Sequence, residues 1–170
     1  MDSIRIVLAM HGAPPSDFPR QEVAELFALH GRLEHAAGPE RAALERRYNE
    51  LHAKMRAWPR TAQNDRFWAA SMEMANALSQ ETGHTVVVGF NEFCAPSLDE
   101  ALDEAAAEGI ERIVVLTPMM TRGGEHAEED IPAAIRRAKE RHPQIHFAYA
   151  WPFPTDEIAR FLAAQINNLV

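Results

Sequence analysis

Three short blocks of the chain carry side chains able to hold a metal ion or move a proton. The first is Met10-His11-Gly12-Ala13-Pro14-Pro15, the second Phe90-Asn91-Glu92-Phe93. The third starts at Thr117-Pro118 and runs through Met119-Met120-Thr121-Arg122-Gly123-Gly124-Glu125-His126. Each follows a run of apolar, β-branched residues, and in open parallel sheets ligands bind beyond the carboxyl ends of the strands. His11, Glu92 and His126 are therefore expected to converge on one edge of a sheet. Two imidazoles and a carboxylate suit iron, cobalt, nickel or zinc. Neutral histidine can also accept a proton near neutral pH, so one cluster could bind a cation and receive protons released nearby.

The elements that must position these groups are legible as four runs: Ile4–Met10, Thr85–Phe90, Arg112–Pro118 and Ile145–Ala150. The first three are nearly continuous apolar stretches, as expected of strands buried on both faces of a parallel sheet. Stretches of helical period follow them, which argues for an α/β fold. Ser97 and Glu100 form a capping-box pattern; Leu98, Ala101, Leu102 and Ala105 supply the apolar face behind it, and Gly109 is placed to close that helix. His142-Pro143 should end the helix carrying Ile135 and Ala138, and Thr155-Asp156-Glu157 should open a last one with Ile158, Phe161, Leu162 and Ile166.

Between the first two strands, residues 20–82 hold about three helices where one crossover would suffice. Leu44, Tyr48, Leu51, Met55 and Trp58 recur at the 4-3-4-3 spacing of an antiparallel helical seam. The expected architecture is a flavodoxin-like three-layer sandwich. A four-stranded parallel sheet would form one domain over 1–170, with a helical insertion about 20–82 near the mouth of the site.

The blocks HG at strand one, FNEFCAPSLDEAL after strand two and GGEHAEEDIP after strand three resemble, in order and context, those of CbiX/SirB-type class II chelatases. The resemblance covers residues 1–15 and about 84–155. It implies insertion of a divalent metal (cobalt, iron or nickel) into sirohydrochlorin or a related tetrapyrrole, as in cobalamin or siroheme biosynthesis. The metal is then a substrate, and no organic cofactor is expected. It further implies that His11 and His126 are the paired catalytic and metal-site histidines, that Glu92 is the matching acidic ligand, and that the protein is a homodimer. One departure stands out: the family's HGSR reads His11-Gly12-Ala13-Pro14 here, without the hydroxyl and the cation.

Charge sets a requirement. The chain carries 25 acidic and 17 basic residues, a net charge of -8. This disfavours nucleic acid and anionic membranes as partners, yet the tetrapyrrole the resemblance implies is itself polycarboxylated. Local cations must receive it. Arg122, beside Gly123 and Gly124, is the first candidate for substrate binding, with Arg20 second and Arg46, Arg47 or Lys54 further back. His30 and His35 are the other histidines placed near the mouth, and Asp130 could support His126. The single cysteine, Cys94, is expected to be a small buried hydrophobe. No apolar run reaches the ~20 residues of a membrane helix, and the N-terminus lacks a secretory pattern, so a cytoplasmic location is expected.

Two other functions share some of these features. Histidine phosphatases also begin with strand–His–Gly, but they place an arginine just before the histidine, where this chain has Met10. A metal or tetrapyrrole carrier would keep the ligands and turn nothing over.

Overall fold

The computed structural model describes residues 4–167; the first and last three positions of the expected 1–170 domain lie outside the described residues. Four strands form one parallel sheet: β1 (Ile4–Met10), β2 (Thr85–Phe90), β3 (Arg112–Leu116) and β4 (His146–Tyr149), in the order β2-β1-β3-β4. This is the flavodoxin-like order with one strand fewer. β1 is central, in register from Arg5 opposite Thr85 to Met10 opposite Phe90, and from Ile4 opposite Arg112 to Leu8 opposite Leu116. Val7, Leu8 and Ala9 are fully buried, which is why the run is apolar on both faces.

One face of the sheet carries α4 (Leu98–Ala105) and α5 (Ile131–Arg141), whose Ala101, Leu102, Ala105, Ile131 and Ala138 interlock with Val7, Ile113 and Val115. Gly89 allows this approach, since a methyl group there would stand 2.8 Å from the Cβ of Ala101. The capping box at Ser97 and Glu100 forms as expected. On the other face α3 (Arg66–Thr82) packs Trp68 and Ala75 against Leu8, Met10, Val88 and Phe90. Asp65 caps it by accepting from the Trp68 N–H at 2.8 Å, and Gly83 ends it at φ 70°.

Before α3 come α1 (Arg20–Leu33) and α2 (Gly38–Arg56), which form a hairpin with its own core of Phe18, Leu26, Leu29, Leu44, Leu51 and Met55. The ion pairs Glu22–Lys54, Glu25–Arg47 and Arg32–Glu40 run in opposite chain order, so the two helices are antiparallel. Pro39 occupies the first turn of α2, where its missing N–H costs nothing. Trp58 lies beyond the end of α2 but still packs on this cluster.

Several boundaries differ from the sequence expectation. β3 stops at Leu116 rather than Pro118, because Pro118 has no N–H to give the ladder and Val115 is the last residue with a β4 partner. β4 is shorter at both ends, His146–Tyr149, since the Ile145 N–H is used in a turn to His142. α4 ends at Ala105, ahead of Gly109, which sits in the following turn at φ 81°. The last helix, α6 (Thr155–Asn167), forms where expected, yet Phe161, Leu162 and Ile166 are 52%, 54% and 63% exposed. No helix among the described residues is long and apolar enough to cross a membrane.

Candidate metal centre

The carboxyl ends of β1, β2 and β3 lie side by side, and the side chains that follow them meet. His11 and His126 have ring centroids 4.7 Å apart, tilted by 45°. His11 Nδ1 lies 3.7 Å from Glu92 Oε2. One ligand atom from each of His11, Glu92 and His126 falls within 4.8 Å of the others, a separation that a single ion could bridge.

Backbone geometry holds this arrangement. The sheet continues past β2 through Asn91 N–H to Met10 C=O and Glu92 N–H to His11 C=O, both at 2.8 Å, so the loops carrying His11 and Glu92 are fastened to each other. Gly12 makes that possible: it sits at φ +101°, and a Cβ there would be 1.9 Å from the Glu92 carbonyl oxygen. The His-Gly pair is thus a steric requirement of the junction.

His126 opens a π-helical turn, His126–Asp130, which runs into α5. Such turns are uncommon and concentrate at functional sites. Here the turn places Asp130 Oδ2 2.6 Å from His126 Nδ1. With Nδ1–H donating to Asp130, the Nε2 lone pair is left for a ligand, the arrangement usual for metal-binding histidine. Tyr149, at the end of β4, holds the turn by donating its Oη to the Ala127 carbonyl at 3.0 Å, and Trp151 Nε1 fastens the preceding loop by donating to the Met119 carbonyl at 3.0 Å. Burial pushes the Tyr149 phenol up to about 12, so it stays a donor. Asp130→Asn should lower metal affinity roughly 10–100-fold while leaving the thermal midpoint near the parent's; titration calorimetry with cobalt and a melting curve check both halves.

Arg122, Gly123 and Gly124 lie on an exposed turn just before His126. The Gly123 N–H already donates to Glu128 Oε1 at 2.8 Å, and the exposed Arg122 side chain beside it carries the turn's positive charge. Arg47 and Lys54 are engaged with Glu25 and Glu22 on the hairpin surface. Cys94 is buried, and burial raises its thiol pKa.

The hairpin reaches the centre through Phe93, whose ring lies 5.7 Å from Phe27 and 6.3 Å from His11. Beside it a cavity of about 90 Å³ is lined by Phe27, His30, Tyr48, His52, Glu92 and Phe93. His30 therefore lies near the centre, as expected from the sequence; His35 does not line this cavity, and His52 does. The Tyr48 and His52 rings stack at 5.5 Å. Burial lowers the His52 pKa, nearby Arg56 adds to this, and Glu92 opposes it. His52 carried no signal beyond its place on the apolar side of α2.

Arg60 was also missed. Its buried guanidinium pairs with buried Asp65 and donates to the carbonyls of Ala13 (2.7 Å), Met55 (3.0 Å) and Phe93. One side chain thus ties the loop after His11 to the loop after Glu92 and to the end of α2. In the sequence it is one arginine after a proline, with nothing to mark it as internal.

The centre opens into an apolar groove of about 370 Å³ lined by Met10, His11, Phe67, Met74, Met119 and His126, among others. Both imidazoles stand in its wall. Glu92 and Asp130 instead border a polar cleft of about 250 Å³ between α4 and α5.

Comparison with known proteins shows the family and the fold. The chain is 33% identical over 82 residues to a sirohydrochlorin ferrochelatase of Priestia megaterium, covering 48% of this chain and 30% of that protein. It is 44% identical over 59 residues to a sirohydrochlorin cobaltochelatase of Methanothermobacter thermautotrophicus, covering 35% of this chain and 41% of that one. The chain therefore spans less than half the length of these relatives. A crystal structure of a CbiX protein from Marinobacter aquaeolei VT8 superposes with a TM-score of 0.55 at 16% identity, over 97% of this chain and 94% of that one, which shows a common fold. The CbiX family model matches residues 62–169, most of the described sheet together with Glu92 and His126. This chain belongs to the CbiX family.

Proposed function

We propose that the protein is a chelatase that inserts a divalent metal (cobalt, iron or nickel) into sirohydrochlorin or a closely related tetrapyrrole. The observation that carries this reading is the meeting of His11, Glu92 and His126 within 4.8 Å at the wall of an apolar groove. The names of the relatives, a ferrochelatase and a cobaltochelatase, support the same chemistry and either metal.

In this reading His11 and His126 hold the incoming ion, with Asp130 fixing the His126 ring. Glu92, too far from His11 at 3.7 Å for a hydrogen bond, is free to turn toward the ion or to a proton. Three protein ligands leave coordination positions open for ring nitrogens. As the metal exchanges one set of nitrogens for another, two pyrrole N–H protons must leave. A histidine released from the metal can take one, and Glu92, at the edge of the polar cleft, can pass protons to solvent. Arg122 meets a substrate carboxylate beside the Gly123-Gly124 turn. Hand-over requires that the ion stay exchangeable, and the open positions and exposure of the site give the ring access to it.

The test is direct. Protein, metal-free sirohydrochlorin and cobalt should give the absorbance of the metallated ring over many turnovers; a single stoichiometric binding event would mean a carrier instead. Arg5, the arginine a phosphatase reading would need, donates to the Glu104 carbonyl at 3.1 Å, far back in the strand. An aryl phosphate should therefore not be hydrolysed.

The assembly we propose is a cytoplasmic homodimer of single-domain units. The dimer's support is the unburied apolar side of α6, where Phe161, Leu162 and Ile166 are exposed and Phe161 lines a cavity with Met120, Phe153 and Ile158. Light scattering should give twice the chain mass, and Phe161→Glu with Leu162→Glu should give a monomer.

A further inference from the structure

We propose that a carboxylate arm of the tetrapyrrole is held by Arg66 and Ser16, in a cavity that continues from the apolar groove past Phe67; this rests on the chelatase reading above. The cavity, of about 370 Å³, is lined by Ala13, Pro14, Ser16, Gln63, Arg66 and Phe67, with Asn64 and Asp65. Phe67 belongs to both spaces, with the metal-centre groove on one side and this cavity on the other. A flat ring lying over His11 and His126 would rest against Phe67 and Met74, and its near edge would overhang this cavity.

The chemistry of the two spaces is complementary. The groove presents apolar side chains and two imidazoles and offers no fixed cation, so the charged edges of a polycarboxylated ring must find partners at its ends. The adjoining cavity supplies one. Arg66 is exposed, and no carboxylate among the described residues pairs with it. The two nearby acids are already engaged: Asp65 is buried against Arg60, and Asp17 accepts from Trp58 Nε1 at 2.9 Å and from Asn64 Nδ2 at 3.1 Å. The Ser16 N–H donates to the Asn64 carbonyl at 2.7 Å, which fixes the backbone while its exposed hydroxyl has no other assigned partner among the described residues.

The same cavity bears on the departure at the end of β1. Ala13 and Pro14, which stand where the resemblance leads one to expect a serine and an arginine, line its wall. A hydroxyl and a guanidinium are present there all the same, carried by Ser16 on the same loop and by Arg66 at the start of α3. Ser16 and Arg66 thus give this one space both a hydroxyl and a cation.

Equilibrium binding of metal-free sirohydrochlorin, followed by fluorescence quenching, tests this without requiring turnover. Arg66→Ala should raise Kd about tenfold, the loss of one charge-assisted hydrogen bond. Arg66→Lys should recover most of that, and Ser16→Ala should cost about threefold. The salt dependence of binding should flatten in Arg66→Ala, since a screened charge pair is gone. KM should rise with little change in kcat, and cobalt affinity without the ring should match the parent's in every variant. A ring affinity for Arg66→Ala within twofold of the parent's, with the same salt dependence, overturns this assignment and leaves the chelatase reading standing. A parent protein that does not bind the ring overturns both.

Discussion

Replacement of either imidazole, His11→Ala or His126→Ala, is expected to abolish metal insertion while leaving the fold in place. On the proposed reading, each substitution removes one of three candidate ligands from a site already open to solvent. Loss of a group that only orients a metal ligand costs on the order of 10–100-fold in affinity, so loss of a ligand itself should cost more. In the proposed mechanism insertion would suffer twice, because the histidine assigned to hold the ion is also the one assigned to take a pyrrole proton. The fold has little reason to respond. His11 projects from the end of β1 with its side chain 48% exposed, and the His126 side chain points into the groove with Asp130 as its hydrogen-bond partner. Cobalt calorimetry, the absorbance assay and a thermal melt together make the test. Turnover retained in either variant, with the melt unchanged, would remove the basis of the metal-centre assignment.

Arg60→Ala is expected to give the largest loss of stability among single substitutions near the site. The side chains of Arg60 and Asp65 are 5% and 2% exposed and form a buried ion pair. Removing one partner of such a pair typically costs about 3–5 kcal/mol, because the other charge stays buried without its counterion. For a chain of this size that is a fall of roughly 6–20 °C in Tm. The carbonyls of Ala13 and Phe93 lose their donor in the same step, and these residues flank Gly12 and Glu92. Activity should therefore fall even at temperatures where the variant is fully folded. Thermal and urea unfolding measure the first effect, and kcat well below the transition measures the second. A Tm within a degree or two of the parent's would mean that water reaches Asp65 more freely than its burial indicates.

These two predictions differ in how visible their residues were beforehand. His11 and His126 could be singled out without coordinates, because a parallel sheet brings strand ends to one edge whatever the details of packing. Glu92 came with them by the same argument. Arg60 could not be, since its role exists only where three loops meet: Phe93, one of its acceptors, is 33 residues away, and Ala13 is 47 away. The charge balance showed that cations were needed and pointed to Arg122; the cavity holding Arg66 and Ser16 depends on how α3 and the loop after β1 pack together. Likewise His30 and His52, rather than His30 and His35, line the cavity beside Glu92, because helix period places a residue on a face but does not say which turn of α2 lies over Glu92.

What the chain alone determined, then, are the features set by near neighbours and by topology: four strand runs, the capping box at Ser97, the antiparallel α1–α2 seam, and the strand ends that bring His11, Glu92 and His126 to one edge. Each is encoded within a few residues, or follows from the requirement that parallel strands share a direction. Tertiary structure decided the rest: the Tyr149 bond that supports the π-helical turn behind His126, the Arg60 clamp and the His52 wall. These depend on contacts between segments far apart in sequence. Their energies come from burial and pairing that no single segment possesses until the others are in place.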